Sequence, residues 1–333
     1  MNKQATKVVV IGGGSGISVI LRGLKQYTEH ISAIVTVADD GGSSGVIRED
    51  LGMLPPGDIR NCIVALSEAE PLMARLMQHR FKSGQFAGHS LGNMIIAGLT
   101  DMQGSFDEAL ANIHDIFAVT GRVLPVSLDD IVLYAKLEDG NVVRGESNIP
   151  NVVKWNKTAI DKVFIDPADA KAYPESVTAI LDADLVLIGP GSLYTSIMPS
   201  LLMPEIKTAL CQTAAKVVVS MNLMTQPGET DAMTVGDHLD VLIDRIGADT
   251  IDYLLVNNQT VSSAAAERYA KKGAHLLKFS APERSRISAL GIKIVEGDFL
   301  EEYAGYVRHD AAKFSQQVLN LVDTVRYIPH AKY

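Results

Sequence analysis

The sequence predicts an α/β protein: a doubly wound, mostly parallel sheet that carries an α+β insertion. Short runs of β-branched residues alternate with longer helical patterns, as in consecutive βαβ units. Several of these runs end in turns of small and polar residues, the places where open α/β sheets bind ligands. Of the 333 residues, 47% are hydrophobic, so the chain can bury a large core as one domain spanning residues 1–333.

The first strand, Val8–Ile11, leads into a glycine-rich turn and then an apolar helical pattern. The turn comprises Gly12, Gly13, Gly14, Ser15 and Gly16. A turn of this kind points backbone N–H groups at an anion, at the positive end of the helix dipole. Against the dinucleotide fingerprint G-x-G-x-x-G, Ile17 replaces the third glycine. The pattern predicts a Rossmann-like phosphate site, and a tight turn without ligand is the alternative.

The second strand, Ile31–Val37, ends at two acids that precede another Gly/Ser-rich segment. The acids are Asp39 and Asp40, and the segment continues with Gly41, Gly42, Ser43, Ser44 and Gly45. Asp39 stands where a nucleotide-binding fold places an acceptor for ribose hydroxyls. Adjacent carboxylates also suit a divalent cation that bridges phosphate oxygens, so Asp39 and Asp40 are candidate magnesium ligands. An ordinary Asp-Gly turn is the alternative.

Two further helices begin after polar turns. Asp58 is predicted to cap the first, which places Arg60 and Asn61 in its opening turn, facing a polar ligand. Asn93 opens the second, where the preceding His89 either performs acid–base chemistry or has a structural role. Both turns are either ligand contacts or simple helix starts.

Residues 105–180 differ from the rest of the chain in their pattern of predicted helices and strands. A helix is predicted over Phe106–Phe117, and the segments Ile131–Leu137 and Asn141–Gly145 flank a hairpin turn. This pattern predicts an antiparallel insertion that serves as a lid or as the contact of a homo-oligomer.

The second half of the chain returns to the strand–turn pattern, with strands expected at 184–188, 217–220, 253–256 and 292–295. Gly191 and Ser192 follow the first of these in a turn resembling the one at Gly12–Gly16. Asn222 and Asn257 follow the next two. Doubly wound topology would bring these turns to one edge of the sheet, where they suit a ligand that contains a pyrophosphate.

Charge and composition exclude several classes of protein. The net charge of −9, without a basic run, argues against nucleic acid or an anionic membrane as the main partner. No apolar run approaches the ~20 residues that span a bilayer. Cys62 and Cys211 lie far apart, as expected in a reducing cytoplasm, and no room for a signal peptide precedes the first strand. The sequence therefore predicts a cytoplasmic protein that binds a nucleotide-like ligand.

Several motifs together resemble the bacterial gluconeogenesis factor family. They are G-G-G-S-G at Gly12, V-A-D-D-G-G-S-S-G at Val37, L-P-P-G-D-I-R-N at Leu54, G-N-M at Gly92, G-P-G-S-L-Y-T-S-I at Gly189, M-T-Q-P-G-E-T at Met224 and R-H-D at Arg308. The resemblance covers nearly the whole chain. That family is related to the CofD-like phospholactate transferases of deazaflavin coenzyme synthesis, which implies their Rossmann-like fold.

The resemblance also implies a function that the residues alone do not give. It implies a cytoplasmic factor needed for cell shape and for growth on gluconeogenic carbon sources, which binds UDP-N-acetylglucosamine and has no established enzymatic activity. A regulatory factor of this kind would signal to a protein partner, which the sequence does not identify. The implied ligand contacts are Gly12, Gly13, Gly14, Ser15, Gly16, Asp39, Asp40, Gly41, Gly42, Ser43, Ser44, Arg60, Asn61, Asn93, Gly191, Ser192 and Arg308. The alternative is a magnesium-dependent transferase of the 2-phospho-L-lactate transferase type, with Asp39 or Asp40 on the metal. A nicotinamide dehydrogenase is disfavoured because the third fingerprint glycine is absent.

Overall fold

The computed structural model describes residues 5–68 and 71–326, and its centre is a seven-stranded sheet. The strands, in chain order, are β1 (Val8–Gly12), β2 (Ile31–Val35), β3 (Arg122–Pro125), β4 (Val132–Leu137), β5 (Val142–Arg144), β6 (Ile160–Asp166), β7 (Leu185–Ile188), β8 (Lys216–Ser220), β9 (Tyr253–Asn257), β10 (Lys293–Gly297), β11 (Leu300–Tyr303) and β12 (Tyr306–His309). The central sheet has the order β10-β9-β8-β7-β1-β2-β3, and all its neighbouring strands run parallel.

The predicted doubly wound fold is confirmed by this strand order. The chain winds outward from β1 through β2 to β3 on one side, and from β7 through β8 and β9 to β10 on the other. Strands β1, β2 and β7 are buried along their whole length, as expected where helices cover both faces of a sheet. The winding direction reverses between β1 and β7, so a crevice opens at their carboxyl ends.

Fourteen α-helices lie within the described residues. They are α1 (Gly14–Leu24), α2 (Gly42–Leu51), α3 (Gly57–Leu66), α4 (Pro71–Gln78), α5 (Leu91–Gln103), α6 (Phe106–Ile116), α7 (Ile149–Asn156), α8 (Pro174–Leu181), α9 (Met198–Leu201), α10 (Pro204–Gln212), α11 (Val235–Ile246), α12 (Ser263–Ala270), α13 (Ala281–Ala289) and α14 (Ala311–Arg326). Helix α1 packs against α3 and α14. Gly23 makes the second contact possible, because a Cβ there would lie 2.2 Å from the carbonyl oxygen of Ala311.

Only part of the predicted insertion, residues 105–180, forms a sheet separate from the central one. Strands β5, β4 and β6 form it, and β4 pairs antiparallel with β5, as the hairpin pattern predicts. Strand β3, by contrast, is an edge strand of the central sheet and pairs parallel with β2. Its four residues are too few to show the buried periodicity of a core strand, so the sequence pattern does not separate it from the insertion.

A two-stranded antiparallel ribbon of β11 and β12 leads into α14. Asp310 caps that helix: its Oδ1 accepts hydrogen bonds from the backbone N–H groups of Ala312 and Lys313, both at 3.1 Å. In the part of the chain that the structure describes, no helix has the length and apolar character required to cross a bilayer.

Candidate ligand-binding site

A cavity of about 1140 Å³ lies at the crevice between the two halves of the sheet. Turns that follow four different strands line it: Gly13 after β1, Asp39 after β2, Gly191 and Ser192 after β7, and Asn222 after β8. Four of the five predicted turns therefore lie together at the carboxyl edge. This is the position at which doubly wound sheets bind ligands.

Asn257, after β9, is outside the lining of this cavity. Its amide instead fixes neighbouring backbone: Nδ2 donates to the Gln259 carbonyl at 2.8 Å, and Oδ1 accepts from the N–H of Phe299 at 3.1 Å. The sequence places Asn257 at the correct edge of the sheet but gives no sign of this structural role.

The cavity extends along one face of α1. Gly16, Val19 and Arg22 line it at intervals of three residues, which is the spacing of one helical face. From the start of α1 to Arg22 this face is about 12 Å long, at 1.5 Å per residue. A cavity of that length suits a ligand with several linked groups.

The predicted turn at Gly12–Gly16 is shorter in the structure. Gly12 belongs to β1, Gly13 is the N-cap of α1, and Gly14, Ser15 and Gly16 form its first turn. A Cβ on Gly16 would lie 2.5 Å from the carbonyl oxygen of Pro190. Gly16 therefore lets the start of α1 pack directly against the turn that follows β7.

A carboxylate lies at the positive end of α1, where the sequence predicts a phosphate. Asp58 is not the N-cap of α3: Pro56 holds that position, and Asp58 is in the first turn. Its Oδ2 lies 2.7 Å from the point that a Cβ on Gly13 would occupy. An anionic ligand group at this end of α1 would be repelled by Asp58 unless a cation lay between them.

Asp39 and Asp40 have different surroundings. Asp39 lines the cavity, and its Oδ1 accepts from the N–H of Gly41 at 2.9 Å. Asp40 lies outside the lining, where its Oδ1 accepts from the N–H of Ser147 at 2.9 Å and so holds the turn between β5 and α7. Successive side chains of an extended chain point to opposite sides, which accounts for this divergence.

The donors present fit a magnesium ion only if the ligand supplies oxygens too. Asp39, Asp58 and Glu146 line the same cavity, but within the described residues no three His, Cys, Asp or Glu side chains are grouped as a metal site. Magnesium is commonly held by one or two carboxylates together with substrate phosphates. Asp39 is the predicted metal ligand that faces the cavity.

Arg60 and Asn93 lie behind the cavity wall, and Asn61 lies in it. Arg60 is 8% exposed; its Nη1 donates to Asn93 Oδ1 at 3.0 Å and also to Ser90 Oγ. Its Nη2 donates to Asn61 Oδ1 at 2.9 Å, which leaves the NH2 group of Asn61 to face a ligand. Burial lowers the pKa of the Arg60 guanidinium. Arg60 thus orients Asn61.

The Gly41–Gly45 segment is the start of α2, and its side chains also lie outside the lining. Ser43 is 6% exposed, and its Oγ accepts from the N–H of Ser90 at 3.2 Å and from Asn93 Nδ2 at 3.3 Å; Ser44 Oγ is 3.5 Å from the same Nδ2. Residues 41–45 match G-x-S-x-G, and His89 Nδ1 is 3.4 Å from Ser43 Oγ. Since this serine is buried away from the cavity, it is not placed as an exposed nucleophile.

Asn222 fixes the turn that follows β7. Its Oδ1 accepts from the N–H of Gly191 at 3.0 Å, and its Nδ2 donates to the Gly191 carbonyl at 2.7 Å. A π-helical turn, Leu193–Ile197, begins directly after Ser192. Ser192, Thr195 and Ser196 all line the cavity from this segment, so hydroxyl groups rather than free backbone amides dominate this wall.

Glu146 is a cavity residue that the sequence did not reveal. It lies between β5 and α7 and reaches the cavity from the small three-stranded sheet. Burial, together with the charges of Asp39 and Glu229, raises its pKa to about 8. The sequence indicates nothing about Glu146 beyond the expectation that this insertion serves as a lid or as an oligomer contact.

Basic side chains line the other end of the α1 face. Arg22, Lys272 and the predicted contact Arg308 belong to the lining. Arg22 and Arg308 line the same cavity, and burial followed by the like charge of Arg308 lowers the pKa of Arg22. Among the described residues neither forms a salt bridge. Paired guanidiniums without carboxylate partners suit a phosphate or diphosphate.

Residues 8–300 match the model of the 2-phospho-L-lactate transferase CofD family. A relative from Clostridium acetobutylicum is 49% identical over 97% of this chain and 70% of its own length. The gluconeogenesis factor of Bacillus subtilis is 42% identical over 96% of this chain and 99% of its own length. The chain belongs to the CofD family, among the gluconeogenesis factors.

The fold of this chain is also found in a solved structure. A crystal structure of a UPF0052 family member from Bacillus halodurans superposes with a TM-score of 0.90 at 44% identity, covering 94% of this chain and 99% of that one. The family resemblance carried by the sequence motifs is therefore confirmed.

Proposed function

We propose that this protein binds a UDP-sugar, UDP-N-acetylglucosamine, in the cavity along α1. The observation that carries the proposal is the shape and charge of that cavity: about 1140 Å³, with Asp39 and Asp58 near one end of α1 and Arg22 and Arg308 at the other. Small-molecule pockets usually measure about 300–1,000 Å³, so this one accommodates a large ligand. The acidic end suits hydroxyl groups of a sugar, and the basic end suits the diphosphate.

The proposed role is that of a cytoplasmic regulatory factor that reports the level of this ligand to a protein partner. Support for the physiology comes from the names of the relatives, which are called gluconeogenesis factors. The Ser43–His89 contact lies outside the cavity, so this pair is not placed to hydrolyse a ligand bound there. On this proposal, cell shape and growth on gluconeogenic carbon sources depend on the ligand-bound form.

Titration calorimetry with the purified chain tests the proposal. We expect UDP-N-acetylglucosamine to bind at pH 7, and Arg22→Gln to weaken binding at least tenfold, about 1.4 kcal/mol, because it removes one of two guanidiniums. Arg75→Gln is the matched control, since Arg75 is exposed on α4 and outside the cavity. Absence of binding at millimolar ligand would lead us to abandon the proposal.

A second candidate is a magnesium-dependent transferase that acts on a nucleotide-diphosphate donor. It is favoured by Asp39 and Asp58 in one cavity and by the description of the matching family model. A bound magnesium ion would offset negative charge on the departing phosphate. Incubation with candidate donors, acceptors and magnesium, followed by mass spectrometry, tests it; a product that Asp39→Asn fails to form supports it, and unchanged donor throughout the panel rejects it.

A further inference from the structure

Asn61 presents the donor side of its amide to the cavity. Its Oδ1 accepts from Arg60 Nη2 at 2.9 Å, and because a guanidinium has only donors, the oxygen is the amide atom that faces Arg60. The NH2 group is therefore on the other side, where it is not buried and has no hydrogen-bond partner among the described residues. Since Asn61 lines the cavity, this NH2 group is open to a ligand.

Arg60 has one position, because its guanidinium is held on a second side as well. Its Nη1 donates to Asn93 Oδ1 at 3.0 Å and to Ser90 Oγ, and these two partners are 1% and 0% exposed. Gly92 gives the side chain its room, since a Cβ there would lie 2.7 Å from Arg60 Cδ. From this fixed position the other nitrogen, Nη2, reaches Asn61.

The amide of Asn93 is fixed in the same way as that of Asn61. Its Oδ1 is used by Arg60, and its Nδ2 donates to the hydroxyl oxygens of Ser43 at 3.3 Å and Ser44 at 3.5 Å. Turning either amide over would place an NH2 group against the guanidinium, donor against donor. The hydrogen-bond network therefore determines that Asn61 offers hydrogens, and no acceptor, to the cavity.

Arg60 does not form an ion pair that would account for its burial. No salt bridge of Arg60 is found in the described part of the chain, and its Nε is buried there without a hydrogen-bond partner. A buried charge without an opposite charge beside it is costly to stability. A guanidinium bonded to the Asn61 oxygen also polarises that amide, which makes its NH2 group a stronger donor. Arg60 thus suits a function at Asn61 better than a stabilising role.

Asp58 restricts the kind of ligand group that can lie beside Asn61. The two residues are three apart in α3, so they share one helical face, and both line the cavity. The negative charge of Asp58 disfavours a phosphate next to Asn61. The uncharged oxygens of the proposed ligand's sugar are its hydroxyl groups and the carbonyl of its acetamido group. A hydroxyl would have a hydrogen without an acceptor at Asn61, whereas a carbonyl oxygen only accepts.

We propose that Asn61, positioned by Arg60, is a specificity-determining residue that donates a hydrogen bond to the acetamido carbonyl oxygen of the ligand. The inference rests on the proposed function and names the sugar group that is recognised. It also gives Arg60, which does not reach the cavity, a positioning role that acts through Asn61.

Calorimetry with UDP-N-acetylglucosamine and UDP-glucose tests which oxygen Asn61 binds. The two ligands differ at one position of the sugar, where the first has an acetamido group and the second a hydroxyl. We expect Asn61→Ala to weaken binding of UDP-N-acetylglucosamine about fivefold, and that of UDP-glucose less than about twofold. The matched control is Asn112→Ala, an asparagine of α6 outside the cavity lining, which should bind both ligands as wild type does.

Arg60→Lys tests the positioning role. Lysine keeps the positive charge but has a single nitrogen, so it cannot bond to Asn93 and Asn61 as the guanidinium fork does. We expect this change to weaken binding of UDP-N-acetylglucosamine about threefold in wild type and less than about twofold in the Asn61→Ala protein. Arg75→Lys, on the exposed face of α4, is the control. Thermal unfolding first establishes that each variant is folded; Asn61→Ala alone decides the ligand contact if Arg60→Lys is not.

Three outcomes would overturn the inference while the proposed function stands. Equal losses for the two sugar nucleotides would assign Asn61 to a group that they share. Unchanged binding by Asn61→Ala would leave this residue without a contact to the ligand. An undiminished effect of Arg60→Lys in the Asn61→Ala protein would show that Arg60 acts by another route. Absence of wild-type binding to both ligands rejects the proposed function and the inference together.

Discussion

Two turns face each other across the crevice between β1 and β7. They are similar in sequence but have different surroundings. Each follows a buried strand, β1 or β7, and each consists of small residues. After β1, the carboxylate of Asp58 lies against the N-cap Gly13. After β7, the side-chain amide of Asn222 bonds both backbone groups of Gly191.

This difference shows that a glycine-rich turn is not by itself an anion site. Backbone amides attract phosphate only where neighbouring side chains leave them free and where the local charge permits. After β1, the negative charge of Asp58 repels an anion. After β7, the N–H of Gly191 already donates to Asn222. The guanidiniums of Arg22 and Arg308, which belong to neither turn, are better placed for the ligand's charge.

The largest effect is expected from adding a methyl group where the two turns are in close contact. Gly16→Ala would place a methyl group 2.5 Å from the Pro190 carbonyl oxygen, where backbone meets backbone, so the turns must separate. We expect a loss of about 1–3 kcal/mol in the free energy of unfolding, measured by denaturant titration, together with weaker ligand binding. Gly98→Ala is the control: Gly98 lies in α5 with nothing near its Cβ position, and the change should stabilise the protein by up to about 1 kcal/mol. Equal effects at the two positions would contradict the proposed packing.

A somewhat smaller effect is expected from the raised pKa of Glu146, which lines the same cavity as the second turn. The pKa of Glu146 is raised to about 8 in the folded protein from an ordinary value of 4.5, so the folded state binds the extra proton between these values. Stability should therefore fall as the pH rises from about 4.5 to 8 and then level off. Glu146→Gln removes this loss, and its advantage over wild type should grow to on the order of 1–2 kcal/mol at pH 8. Thermal unfolding of both proteins at pH 5 and pH 8, without ligand, measures the difference; a constant difference would show that Glu146 is charged throughout.

A smaller effect again is expected from removing the side-chain amide that holds the second turn. Asn222→Ala removes both hydrogen bonds to Gly191 and leaves two backbone groups without that partner, at a cost of about 1–2 kcal/mol in stability. The freed N–H would also be open to an anion, so binding of inorganic phosphate, followed by calorimetry, should become stronger rather than weaker. Unchanged stability would mean that water replaces the amide fully.

The sequence predicts the fold and the edge of the sheet better than it predicts which side chains face the ligand. Buried strands and the turns after them are local patterns, and the doubly wound topology follows from them. Arg60 and Asn61 are neighbours in one helical turn, about 100° apart around the axis, so only tertiary packing decides that Asn61 faces the cavity and Arg60 does not.

For the acidic residues too, the sequence does not show which side chains face the cavity. Asp39 and Asp40 follow each other in extended chain, and their alternation sends them to different partners. Glu146 follows a strand of a different sheet, and its raised pKa depends on burial and on the charges of Asp39 and Glu229, which are distant in sequence. No spacing along the chain encodes such long-range surroundings, whereas the glycines of a strand–turn–helix unit form a local sequence pattern.

The smallest expected effect tests the charge at the first turn directly. Asp58→Asn keeps the shape of the side chain and removes the negative charge beside Gly13, so without a divalent cation an anionic ligand should bind a few-fold more tightly. With magnesium the sign separates the two candidate functions: if a cation lies between Asp58 and the phosphate, the same change weakens binding. Calorimetry in magnesium and in a chelator, with the exposed Asp101→Asn as control, measures both. The two buffers are matched in ionic strength, because a screened surface charge responds to salt and not to magnesium itself. The sign of the change in affinity then decides between the two candidate functions.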